Sequence, residues 1–294
     1  MFYSGAARLG LALVLVLSLS ACSPLRVLSA ISPTPGQGSF TDIVYQSERD
    51  LMLDVYAPSQ SDAASADTLR PTIVFFFGGA WRSGVRADYA FVASLLTKAG
   101  FVVVIPDYRL YPQVVFPAFV EDSAAAVAWT FDNAKQYGGD PQQVYVMGHS
   151  AGAHIAALLH YDGRYLEAAE ASMRPRGFVG LSGPYDFLPL VSPTMKKLFP
   201  EPLRERSQPV NWVEGNEGPA LLVHGLKDSR VKPRNSGALE EAILAADGDV
   251  EMIIYPERGH VGVLLALSPL FSGLAPVVTD IERFINQHSS TSPD

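Results

Sequence analysis

The chain has 294 residues, 48% hydrophobic and 18% charged, with 22 basic against 30 acidic side chains, a net charge of −8 and one cysteine. A chain this apolar buries enough surface to offset the entropy of ordering, which excludes general disorder. One thiol excludes a disulfide framework, and the acidic balance speaks against nucleic acid, whose affinity comes from Lys and Arg neutralising phosphates.

At the amino terminus, Leu9 to Leu17 form an apolar run. It is shorter than the roughly twenty residues that span a bilayer, so residues 1–21 read as a secretory signal. Leu19-Ser20-Ala21-Cys22 follows. This tetrapeptide resembles the lipobox of bacterial lipoproteins. The resemblance implies cleavage before Cys22, lipid on its thiol and anchoring in the cell envelope. With Ser23 rather than aspartate next, it further implies the outer membrane, facing the periplasm. Residues 22–39 contain Pro24, Pro33, Pro35, Gly36, Gly38 and several serines, the composition of a tether.

From Phe40 onward, short β-branched or aromatic runs alternate with longer alanine-rich stretches, the pattern of an α/β fold. Ile43–Gln46 and Leu51–Tyr56 predict an opening strand pair. Ser59–Arg70 is polar and predicts a loop. Thr72–Phe77, Phe101–Ile105, Val144–Met147, Phe178–Leu181, Ala220–Val223 and Val250–Tyr255 predict strands covered on both faces. Ala87–Ala99 predicts a helix, Pro117–Tyr137 a longer one with Gly138-Gly139 past its end, and another begins near Ala151. Residues 183–218 carry six prolines, at 184, 189, 193, 200, 202 and 209, and predict a cap-like insertion over the strand ends. Residues 40–288 then form the body, and 289–294 a disordered polar tail.

Gly148-His149-Ser150-Ala151-Gly152 lies between a predicted strand and a predicted helix. A sharp strand-to-helix turn pushes a serine hydroxyl into solvent and needs glycine on both sides. From average Gly and Ser usage the pattern arises by chance about 0.1 times in such a chain. A serine alcohol needs a base, and the base an orienting acid, which follow in the order Asp, His in this architecture. Asp228, in His224-Gly225-Leu226-Lys227-Asp228, and His260, in Pro256-Glu257-Arg258-Gly259-His260, each fall just past a predicted strand. The catalytic set is therefore Ser150, Asp228 and His260. Asp186 is a substitute acid, whereas Asp247 and Asp249 precede a strand and point at the opposite rim. Gly78-Gly79-Ala80-Trp81 follows the Thr72–Phe77 strand. The N–H groups of Gly79, Ala80 and Ala151 are the candidate oxyanion hole. Trp81, His149 and Tyr185 are candidate pocket residues, with Tyr108 and Tyr111 as further aromatic candidates. The spacing of His149, His154 and His160 puts them on different helical faces, which argues against a metal, and no Gly-rich phosphate motif follows a strand.

Together with Asp107-Tyr108-Arg109-Leu110 and Tyr137-Gly138-Gly139-Asp140-Pro141, these motifs resemble the α/β-hydrolase superfamily. Within it the chain is similar to bacterial feruloyl and acetyl-xylan esterase-like enzymes, hormone-sensitive-lipase-like carboxylesterases and isoprenylcysteine methylesterases. The resemblance implies an α/β-hydrolase fold and a cofactor-free serine esterase acting on short-chain or aromatic carboxylic esters, including acyl groups on oligosaccharides. Its alternatives are an arylformamidase-type amide hydrolase and a catalytically silent envelope scaffold. Phe77 stands where the family usually has histidine, so packing is expected to hold the oxyanion loop.

Overall fold

The computed structural model describes residues 23–32, 38–58 and 69–289. The signal (residues 1–21), Cys22, most of the predicted Ser59–Arg70 loop and residues 290–294 lie outside them. Among the described residues no helix is long and apolar enough to cross a membrane.

Uninterrupted runs of Val, Ile and Phe have no polar edge to offer water, so they become strands covered on both faces. Eight strands form one sheet: β1 (Gly38–Gln46), β2 (Leu51–Ala57), β3 (Arg70–Phe76), β4 (Val102–Pro106), β5 (Gly139–His149), β6 (Gly177–Leu181), β7 (Ala220–Gly225) and β8 (Val250–Tyr255). Their spatial order is β1-β2-β4-β3-β5-β6-β7-β8. The first two strands run antiparallel to their neighbours and the rest are parallel. This is an α/β-hydrolase fold. Ile73, Val74, Phe75 and Phe76 of β3, Val144 to Met147 of β5 and Leu221 to Val223 of β7 are fully buried, which centres the core on the parallel strands.

Helices α1 (Pro24–Ile31), α2 (Ala90–Lys98), α3 (Ala118–Asn133), α4 (Ala151–Tyr161), α5 (Arg164–Ala168), α6 (Pro193–Leu198), α7 (Arg234–Ala245), α8 (His260–Leu265) and α9 (Val277–Ser289) surround the sheet. On α9 the residues Val277, Ile281, Phe284 and Ile285 are buried at helical spacing, the stripe an amphipathic surface helix needs. Ser289 closes this helix, so one residue of the predicted tail belongs to the body.

A second departure lies at the other end. The proline- and serine-rich segment 22–39 predicts a structureless tether, yet Pro24–Ile31 is helical with proline in its first turn. Leu28 is buried, Arg26 pairs with Asp88, and Ser29 Oγ donates to the Asp88 carbonyl at 2.8 Å. Composition alone missed it because the helix owes its place to the surface it covers, not to its own propensity.

The insertion at 183–218 has one short helix, α6, and three 3₁₀ turns. Its many prolines interrupt backbone hydrogen bonding too often for longer elements. Helix α4 ties it down: His154 Nε2–H donates to the Ser207 carbonyl at 2.7 Å and His160 Nε2–H to that of Gly218 at 2.8 Å.

Candidate active site

Ser150 sits between β5 and α4 with φ 56° and ψ −120°, a strained conformation for a residue with a side chain. The flanking glycines are sterically required. A Cβ on Gly152 would lie 2.0 Å from the Phe76 carbonyl oxygen, and one on Gly148 would lie 2.3 Å from that of Gly152. The turn therefore holds the Ser150 hydroxyl at the carboxyl end of the sheet, beside the first N–H groups of α4.

His260, the first residue of α8, reaches Ser150 Oγ with Nε2 at 2.9 Å and Asp228 Oδ2 with Nδ1 at 2.7 Å. A carboxylate only accepts, so Nδ1 carries the hydrogen and the Nε2 lone pair faces the serine hydroxyl. The three residues come from the loops after β5, β7 and β8, far apart in sequence. Asp228 Oδ1 accepts from the backbone N–H groups of Arg230 and Val231, each at 2.9 Å. Burial pushes the Asp228 carboxyl up, but hydrogen bonds from His224, His260 and the Val231 N–H outweigh it and hold the group well below the usual carboxylate range. The acid on His260 Nδ1 is Asp228 and not Asp186, whose backbone N–H donates to Asn235 Oδ1.

His224 was quoted in the sequence motif but given no role. It is fully buried, and its Nε2 lies 2.9 Å from the Val231 carbonyl and 3.3 Å from Asp228 Oδ2. The carbonyl requires Nε2–H, so Nδ1 accepts from the Ser236 hydroxyl at 2.8 Å. Asp228 is thus held by two imidazoles and two backbone amides. His149 Nε2–H donates to the His260 carbonyl at 3.0 Å. Burial and the neighbouring His260 lower the His149 imidazole to about 3, keeping it neutral.

The loop after β3 runs through Gly79 at φ 132°, Ala80 at φ 54° and Trp81 at φ 58°. The Gly79 carbonyl accepts from the N–H groups of Arg82 and Ser83, while those of Gly79 and Ala80 have no backbone acceptor among the described residues. Ala151 starts α4, so its N–H also lacks an intrahelical partner. Phe77 packs in place of the expected histidine: its ring stacks on Tyr108 at 4.4 Å and on Tyr89 at 5.4 Å. Tyr108 Oη donates to the Phe77 carbonyl at 2.7 Å and Tyr89 Oη to that of Gly78 at 3.2 Å. Asp107 and Arg109, either side of Tyr108, lock onto Arg86 and Asp122. Phe77→Ala is therefore expected to lower unfolding stability by about 3–5 kcal/mol, read from urea denaturation.

The BD-FAE family model matches residues 53–243, from β2 through most of α7. The chain belongs to the BD-FAE family. It is 29% identical over 268 residues to the isoprenylcysteine alpha-carbonyl methylesterase ICME of Arabidopsis thaliana, covering 83% of this chain and 61% of that protein. Among solved structures, a truncated carbohydrate esterase from gut microbiota superposes with a TM-score of 0.74 at 23% identity, over 88% of this chain and 100% of that one. Thermogutta terrifontis esterase 2 superposes with a TM-score of 0.72 at 22% identity, over 89% of this chain and 98% of that one.

In this BD-FAE member a cleft of about 830 Å³ opens over Ser150 and His260. Gly79, Ala80, Trp81 and His149 line it, as do Pro184, Phe187 and Met195 of the insertion. Trp81 meets Phe199 edge-on at 5.0 Å and His154 at 5.1 Å, so the insertion braces the oxyanion loop. Tyr185 corrects the sequence reading: it is fully buried, lies against Phe178 and does not line the cleft. Tyr108 is buried behind Phe77 for the same reason, that flat rings fill the interior where the backbone turns. Tyr89 does line the cleft, as do Ser23, Pro24 and Leu25 at the start of α1, none of which the sequence singled out. Among the described residues no group of three or more His, Cys, Asp or Glu could hold a metal.

Proposed function

We propose that this BD-FAE member is a serine carboxylesterase. The observation that carries the reading is the Ser150–His260–Asp228 hydrogen-bond chain opening into a cleft, beside the Gly79, Ala80 and Ala151 N–H groups that have no backbone acceptor among the described residues. Ser150 Oγ attacks the ester carbonyl while His260 Nε2 takes the hydroxyl proton. Asp228 stabilises the resulting imidazolium, and the N–H groups of Gly79, Ala80 and Ala151 stabilise the oxyanion. Collapse expels the alcohol, which leaves with the proton from His260. A water molecule, deprotonated by His260, then attacks the acyl-enzyme, and Ser150 regains its proton as the acid departs.

Trp81, Phe187, Met195 and Leu264 give the cleft an apolar side suited to a short-chain or aromatic group. The relatives named for a carbohydrate and for isoprenylcysteine support an ester substrate without fixing the alcohol. Lipid attachment at Cys22 also belongs to this reading. Ser23, the next residue, lines the cleft, so an anchored chain would work with its mouth beside the membrane surface.

A fluorophosphonate probe tests the reading directly. The expected result is one adduct per chain, mapped by mass spectrometry to the Ser150 peptide, together with turnover of p-nitrophenyl acetate and butyrate. No adduct and no turnover beyond the Ser150→Ala background would overturn it.

A further inference from the structure

Four cations line the cleft, and none of its lining residues among those described is Asp or Glu. Arg82 follows the oxyanion loop, Arg230 and Lys232 follow Asp228, and Arg234 opens α7. All four are exposed. Several exposed and half-exposed basic residues elsewhere hold carboxylates, among them Arg26 with Asp88, Arg49 with Asp122, Arg164 with Asp162, Lys227 with Glu257 and Arg283 with Glu251. Among the described residues none of the four cleft cations is in such a pair, although the chain has 30 acidic side chains against 22 basic. The twelve-residue helix α7 has no acidic residue in its first turn, so the positive end of its dipole adds to the local potential. Cations gathered in a cleft against an acidic background raise the local concentration of an anion, and apolar walls strengthen that field.

The same cleft is also lined by apolar side chains, Leu25, Phe187, Met195 and Leu264. An occupant that satisfies both sets has an apolar stretch and a negative charge. Resting on the esterase reading, the geometry points to esters that carry a carboxylate several bonds from the reacting carbonyl as the substrate class of this cleft. The charge is read by Arg230, Lys232 and Arg234, together with Arg82 of the same cleft. These residues select the substrate and do not touch the reacting atoms.

The test compares two esters of equal chain length, mono-p-nitrophenyl glutarate and p-nitrophenyl valerate, in the wild type and in the triple variant Arg230→Gln, Lys232→Gln, Arg234→Gln. The anionic-to-neutral ratio of kcat/KM is expected to fall about tenfold in the variant. In the wild type it should also fall as salt rises from about 0.02 M to about 0.5 M, since exposed charges are screened over that range. A ratio equal in both proteins and insensitive to salt overturns the proposal while leaving the esterase reading intact. Turnover of neither ester overturns the esterase reading instead. The charge is then decided by calorimetric titration of the glutarate ester into Ser150→Ala with and without the three substitutions, where equal affinities overturn it and weaker binding in the substituted protein supports it.

Discussion

Replacing Ser150 with alanine is expected to lower kcat on p-nitrophenyl butyrate by about 10⁴ to 10⁶, with folding intact by thermal melt. Among the described residues the Ser150 hydroxyl is the only side chain hydrogen-bonded to His260 Nε2, so on the proposed mechanism no neighbour substitutes as nucleophile. His260→Ala is expected to cost a similar factor, and the double variant little more than either single one, because the residues act as one unit. Additive losses in the double variant would contradict the relay. Asp228→Asn separates orientation from charge. Its amide has one acceptor oxygen and so cannot serve both the imidazoles on Oδ2 and the Arg230 and Val231 N–H groups on Oδ1, and a loss of about 10³ to 10⁴ is expected. Ser182, in Gly180-Leu181-Ser182-Gly183, is fully buried, and Ser182→Ala serves as the comparison that leaves the relay untouched.

Acid is expected to destabilise this protein steeply. Burial lowers the imidazoles of His149 to about 3 and of His154 and His160 to about 4. In the unfolded chain an imidazole takes up its proton near 6.5, so between these limits the unfolded state binds more protons and stability falls as pH falls. Each group contributes about 1.4 kcal/mol per pH unit, roughly 4 for the three together. The depressed carboxyl of Asp228 adds stability that is lost lower still, as pH falls through its native-state range. Asp107, raised chiefly by burial, acts in the opposite sense but is one group against four. Against a total stability of about 5–10 kcal/mol, the lower part of the usual range, this slope places acid unfolding between about pH 5.3 and 4. Thermal melts from pH 8 to 4.5 check it: a flat Tm above about 6.5 and a steep fall below are expected, and a Tm unchanged down to pH 4.5 would refute the linkage. His160→Gln keeps a donor for the Gly218 carbonyl while removing one titrating group, so the slope should shrink by about a third.

The sharp turn at Ser150 was legible in sequence because its cause is local. Glycine on both sides answers a clash within a few residues, and the strand before and helix after it show their own periodicities. Asp228 and His260 were legible because each lies just past an apolar run that ends as a parallel strand, and parallel strands deliver their carboxyl ends to one rim. Phe77 was legible as a departure, and its packing between Tyr89 and Tyr108 follows from removing a polar ring and leaving an aromatic one.

What stayed hidden involves surfaces meeting from distant parts of the chain. Tyr185 and Tyr89 are the same residue type near the same site, yet one fills the interior beside Phe178 and the other lines the cleft. Helix α1 has a linker's composition and is held by Asp88, some sixty residues away. His224 sits four residues before Asp228, but its grip on that carboxylate needs the turn after β7 to fold back.

The sequence by itself determined the parallel sheet, the serine turn and the order of the acid and base, since each follows from short-range sterics and hydrophobic periodicity. Only the tertiary structure decided which aromatic rings reach the cleft, that α1 forms one of its walls, and that Arg82 joins Arg230, Lys232 and Arg234 around it. Those outcomes depend on burial and electrostatic fields summed over segments the chain keeps far apart, and no local pattern encodes such a sum.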